Sequence, residues 1–136
     1  MLPFEFTIPG TPVSHQTRNR SKLASWQKLV RAAAASIWGT RQPLEVPLRL
    51  TVSYYHEGEA VRIDNDNMLK PIQDALIGLV YTDDRLITDT IVRKTNISGE
   101  FRVRGYSLVL LKALSEGNQF LHVVVDEAPS HENPLR

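Results

Sequence analysis

Cysteine is absent from the 136-residue chain. That excludes disulfides, thiolate zinc sites and a cysteine nucleophile, and it fits a reducing compartment such as the cytoplasm. No window approaches the roughly 18 consecutive apolar residues of a membrane span. The start, MLPFEFTIPG, lacks the basic and apolar regions of a signal peptide. There are no internal repeats and no low-complexity tract. What remains is an ordinary balance, 42% hydrophobic and 23% charged residues, in a length that suits one domain with its own core.

The net charge of +1 hides a pattern. Residues 1–56 carry seven basic side chains against Glu5 and Glu45, a net +5. Residues 57–89 carry eight acidic side chains against Arg62, Lys70 and Arg85, a net −5. Residues 90–112 return to +4, and the remainder is −3. An acidic middle between basic segments suits a protein that holds a cation with carboxylates and a polyanion with lysine and arginine. An uneven but merely solvated surface has the same composition.

Leu2 to Ile8 alternates as a strand, closed by Pro9, Gly10 and Pro12. After a polar loop, Ser21 can cap a helix to about Trp38. Its stripe is Leu23, Trp26, Leu29, Val30, Ala33 and Ile37, and Gly39 is its stop. Trp26 and Trp38 are expected in the core. Val46 to Tyr54 reads as a second strand, and Asn67 to Leu79 as a second helix capped by Asp66 or Asn67. Pro71 is expected in that helix's first turn, since proline is costly further in. Arg85 to Asn96 reads as a third strand. A Ser98-Gly99 turn and a fourth strand, Phe101 to Leu111, would complete a hairpin. The order β-α-β-α-β-β predicts an α+β fold, one mixed sheet with two helices packed on it. Phe120 to Val125 adds a short fifth strand, and Glu127 to Arg136 reads as a flexible tail. The expected division is a domain over 1–112 and a C-terminal extension over 113–136.

Chemistry concentrates in Asp64-Asn65-Asp66-Asn67-Met68-Leu69-Lys70, then Asp74, then Asp83-Asp84. Asp64 and Asp66 point the same way if the chain is extended as it enters the helix. Lys70 and Asp74 follow at successive turns. Asp84 comes near the Asp64/Asp66 pair if the second and third strands are neighbours. Clustered carboxylates repel one another, and a hard cation such as magnesium relieves that. A simpler reading also fits: Asp66 caps the helix, Lys70 pairs with Asp66 and Asp74, and Asp83-Asp84 makes a turn. An EF-hand loop fits less well, because Leu69 and Ala75 stand where its glycine and glutamate belong.

The run Asp64-x-Asp66-Asn67-x-x-Lys70-Pro71-x-x-Asp74-Ala75-Leu76-x-Gly78-x-x-Tyr81-x-Asp83-Asp84 closely resembles the RusA-type Holliday-junction resolvases. Element order and length extend the resemblance over residues 1–112. It implies a Mg2+- or Mn2+-dependent endodeoxyribonuclease that nicks two strands of a four-way junction as a homodimer, with no membrane and no small-molecule cofactor. It implies that Asp64, Asp66 and Asp84 bind metal, that Lys70 assists catalysis, and that Asp74 and Asp83 support them. His15, Arg18, Arg20 and Lys22 form one expected DNA-binding group, and Arg93, Lys94, Arg102 and Arg104 a second. Two rival readings are a non-catalytic binder of branched DNA and a calcium-stabilised interaction module.

Overall fold

The structure is a computed structural model of the chain, described here for residues 2–59, 62–98 and 107–130. Among these residues the elements run β1 (Phe4–Pro9), α1 (Arg20–Trp38), β2 (Leu48–His56), α2 (Asn65–Ala75), a 3-10 turn (Asp84–Leu86), β3 (Ile87–Asn96), α3 (Leu108–Ser115) and β4 (Phe120–Glu127). The strands form a mixed sheet in the order β1-β4-β2-β3. β4 is antiparallel to both β1 and β2, while β3 lies parallel to β2. The expected α+β class and mixed sheet are present.

Alternation along the strands decides what each face holds. Phe4, Phe6 and Ile8 of β1, Leu48, Leu50, Val52 and Tyr54 of β2, and Leu121, Val123 and Val125 of β4 share one buried core. Against them pack Trp26, Val30, Ala34 and Trp38 of α1, and Met68, Leu69, Ile72 and Ala75 of α2. Both tryptophans are core residues, as expected. The stripe of α1 is rotated from its expected line: Leu29 and Ile37 are 60% and 47% exposed, and Ala34 and Trp38 take the inward positions. Its N-cap is Asn19 rather than Ser21, since the Asn19 side chain accepts the Lys22 N–H at 3.0 Å.

The opposite sheet face carries a smaller cluster of Tyr55, Phe120, Leu110 and Ala113. The last two come from α3, which corrects two expectations: Leu108 to Leu111 is helical rather than extended, and a third helix is present. The expected strand's residues 101–106, and Gly99 of the expected turn, lie outside the described residues. The cause is local capping. Ser107 Oγ accepts the Leu110 N–H at 3.1 Å and donates to the Glu5 carboxylate, starting α3 and tying it to β1. The strand expected over Phe120 to Val125 is present and runs on to Glu127, the first residue of the expected tail, and it sits between β1 and β2.

Three expectations about α2 also change. It spans Asn65–Ala75 instead of 67–79, its N-cap position is Asp64, and Pro71 lies in its interior. Gly78, at φ +82°, donates its N–H to the Tyr81 carbonyl at 2.7 Å, so the chain past Ala75 folds into a tight turn.

Candidate active site on the exposed face of helix α2

Helix α2 divides its residues sharply. Met68, Leu69, Ile72 and Ala75 are buried, while Asp66, Lys70 and Asp74, spaced four apart, line an outer face. Both ends are fixed from outside. At the head, Lys94 of β3 donates its ammonium to the Ile63 carbonyl, immediately before Asp64. At the foot, the Arg31 guanidinium of α1 donates to the carbonyls of Ala75 (3.0 Å) and Ile77 (2.8 Å), satisfying groups a helix end leaves free.

Pro71 has no N–H to give the Asn67 carbonyl, which an uninterrupted helix would pair with residue 71. That carbonyl instead accepts the His15 N–H at 2.9 Å. The proline therefore frees an acceptor that anchors the loop after β1 on the face of α2. Arg20 secures the same loop from inside, donating to the carbonyls of His15 (2.9 Å) and Thr17 (3.2 Å).

Lys70 is the hub of the face. Its Nζ lies 2.8 Å from Asp74 Oδ1 and 3.3 Å from Asp84 Oδ2. The hydrogen bond it donates to Asp74, helped by Asp84, raises its pKa above the ordinary lysine value despite some burial. Asp84 reaches Lys70 because β2 and β3 are indeed neighbours, so the turn before β3 comes back beneath α2. That turn is braced twice. Asp83 accepts the Arg85 N–H at 2.9 Å and pairs with its guanidinium at 3.0 Å, and these contacts hold its carboxyl below the usual range. Tyr81 is fully buried and donates its hydroxyl to the Gln73 carbonyl at 2.6 Å, tying the last turn of α2 to the same segment. Burial, then the charges of Asp74 and Asp84, push the Tyr81 phenol well above its ordinary pKa, so it stays a neutral donor.

Asp64 and Asp66 stand at the head of this face, both exposed. The Asp64 carbonyl accepts the Met68 N–H at 3.0 Å, but its carboxylate makes no cap bond. Neither carboxylate has an ion-pair or hydrogen-bond partner among the described residues. Lys70, Asp74 and Asp84 are thus in contact, with Asp66 one helical turn from Lys70. Among the described residues no three carboxylate or imidazole groups converge on one point as they would around a metal ion. The donor chemistry still fits a hard divalent cation. Magnesium takes one or two carboxylates and keeps several waters, and Asp64 and Asp66, at the N-cap and in the first turn of α2, are oxygen donors without a partner among the described residues.

The expected DNA-binding residues are placed unevenly. Arg18, Arg20 and Lys22 are exposed beside the start of α1, and His15 borders α2. Arg93 lies on the face away from α1 and α2, in register with Ser53, with its charge felt by Tyr55. Lys94 is engaged with Ile63, and Arg102 and Arg104 lie outside the described residues. Sequence reasoning missed the brace from Arg31 and the link from Pro71 through Asn67 to His15. A proline deep in a helical pattern was the available signal for the second.

No curated protein matches the chain. Its sequence does match the family described as Endodeoxyribonuclease RusA over residues 9–104, which includes β1's last residue, both helices of the main core, β2 and β3. The match covers well over half of the chain, and the protein belongs to the RusA endodeoxyribonuclease family.

Proposed function

We propose that this protein is a divalent-metal-dependent endonuclease that resolves four-way DNA junctions by paired phosphodiester cleavage as a homodimer. The observation that carries the reading is the outer face of α2: two carboxylates, Asp64 and Asp66, without a partner among the described residues, above a lysine held by Asp74 and Asp84. It lies inside the region matched to the family.

Asp64, Asp66 and Asp84 would hold Mg2+ or Mn2+. When bound, the cation supplies Lewis-acid polarisation of the phosphate and activation of water. Lys70 does the rest of the electrostatic work. Its ammonium gives two hydrogens to Asp74 and Asp84 and has a third for a non-bridging phosphate oxygen or the leaving oxygen. Asp74 and Asp84 also fix that ammonium in space, so little reorganisation is needed as charge develops. Asp83, through Arg85, keeps the turn that carries Asp84 in place. Arg18 and Lys22 supply exposed charge for backbone phosphates. A two-fold dimer would present two such faces to a two-fold substrate.

The test is nicking of a synthetic four-way junction against linear duplex of the same sequence, with Mg2+, Mn2+ or chelator. Junction-selective nicking that needs the metal is expected, from a protein that sediments as a dimer. Absence of nicking with either metal overturns the nuclease reading. Sedimentation of the active species as a monomer overturns the paired-cut reading.

A further inference from the structure

Beside the Asp66–Lys70 face lies a cleft of about 360 Å³, lined by His15, Asp66, Asn67, Leu69, Lys70 and Gln73. This is near the lower end of the ~300–1,000 Å³ typical of small-molecule clefts, so it suits one small ring system and not a duplex. Its walls come from two elements held together by the His15 N–H to Asn67 carbonyl bond. The cleft is therefore a built feature of the loop-helix junction.

Its lining combines apolar surface with the polar groups of His15, Asn67 and Gln73, and with Asp66 and Lys70 at the rim. The side-chain amides of Asn67 and Gln73 make no hydrogen bond among the described residues, and both are half-buried. The Nδ1 of His15 is enclosed without a partner among the described residues. Leu69 supplies an apolar wall. Charge argues against a second phosphate as occupant: Lys70 is the one cation of the lining, and it is already given to Asp74, Asp84 and the scissile phosphate. Unpaired amides next to an apolar surface match the edge and face of a nucleobase, which carries adjacent donors and acceptors on a flat ring. Extruding a base costs a few kcal/mol, on the order of what such a pocket's contacts return, and least where the base is already unpaired.

We propose that this cleft receives one unstacked base beside the scissile phosphate, and that Gln73 and Asn67 read its edge, giving the enzyme a base preference at that position. The proposal rests on the nuclease reading for its place in the reaction, with the phosphate at the rim near Asp66 and Lys70 and the base in the cleft. Gln73 is a specificity residue in this scheme. Replacing it changes which base is favoured, an effect that a merely structural role would not produce.

The experiment uses four-way junctions that differ only in the base at each position flanking the crossover, cut with Mg2+ or Mn2+ by wild type, Gln73→Ala and Gln73→Glu. For the wild type, one position is expected to change the cutting rate by about tenfold or more between best and worst base, as for a paired amide contact. In Gln73→Ala that ratio falls to about twofold, and in Gln73→Glu, which can only accept, the ranking moves towards bases with an exocyclic amino group. Wild-type rates indifferent to the base, or an unchanged ranking and ratio in Gln73→Ala, overturn the proposal while leaving the nuclease reading intact. Should the wild type cut no junction, the nuclease reading fails, and the cleft is judged by nuclear magnetic resonance titration with dAMP, dCMP, dGMP and dTMP. Shifts of the Asn67 and Gln73 side-chain amides that favour one base support it. No shift, or equal shifts with all four, overturns it.

Discussion

Lys70 shows how much one side chain can organise. It joins a helix to the turn before β3, and it does so with a charge that ordinary pH does not remove. Its pKa is raised in the folded state, chiefly by the hydrogen bond to Asp74. The bridge's stabilisation is thus fully present below the unfolded lysine value of about 10.4 and is lost as pH rises through the higher folded value. Its side chain is 43% exposed, so the contribution is small. Between pH 6 and 9 no loss of activity is expected from this group. Lys70→Met is expected to lower the rate of junction nicking by about 10²- to 10³-fold, the usual effect of removing one oriented donor, with the fold intact by circular dichroism. A variant within about threefold of wild type would show that the lysine serves only as a structural bridge. Tyr81 works differently. Its buried hydroxyl ends the last turn of α2 on the Gln73 carbonyl, so Tyr81→Phe is expected to cost about 0.5–1.5 kcal/mol in urea unfolding. A midpoint unchanged by that substitution would show that the bond contributes nothing.

At the level of elements, α2 is where sequence and structure part most usefully. Its acidic and basic face was legible, because i, i+4 spacing on a helix admits one geometry for Asp66, Lys70 and Asp74. The pairing of β2 with β3 on which Asp84 depended is present and brings it to Lys70, but among the described residues it does not gather Asp84 with Asp64 and Asp66 into one carboxylate cluster. The position of Pro71 was not. Helix rules place proline in the first turn, but here the lost bond is replaced from outside by His15. The proline signals an unpaired carbonyl, but its partner lies on a loop more than fifty residues away in sequence, and no local pattern names it. Pro71→Ala returns an N–H that competes for the Asn67 carbonyl. Faster amide hydrogen exchange at His15 is expected in that variant, and unchanged protection there would mean that the loop is held by other contacts. The misreading of Leu108 to Leu111 has another cause. A short apolar run fits strand and helix equally, and only the Ser107 cap decides between them.

Across the whole molecule, the chain's charge pattern acquires a layout. The acidic middle of the sequence is α2 and the turn that follows it, and the basic N-terminal segment borders it through the loop after β1. The sheet order was not legible, since inserting β4 between β1 and β2 depends on pairing across more than a hundred residues to β1 and more than sixty to β2. Nothing in the described residues is long and apolar enough to form a membrane-crossing helix. A polyanion spread over such a surface should bind chiefly through phosphate contacts, with affinity falling steeply as salt is raised. The head of α2 should act on it only when a cation offsets Asp64 and Asp66.

The most direct measurement therefore separates binding from cutting, by comparing wild type with Asp66→Asn on one four-way junction. With Mg2+ or Mn2+, nicking is expected to vanish in the variant. Junction affinity in a gel shift is expected to stay equal or rise, because one repelling carboxylate is gone. Undiminished nicking by Asp66→Asn would contradict the account.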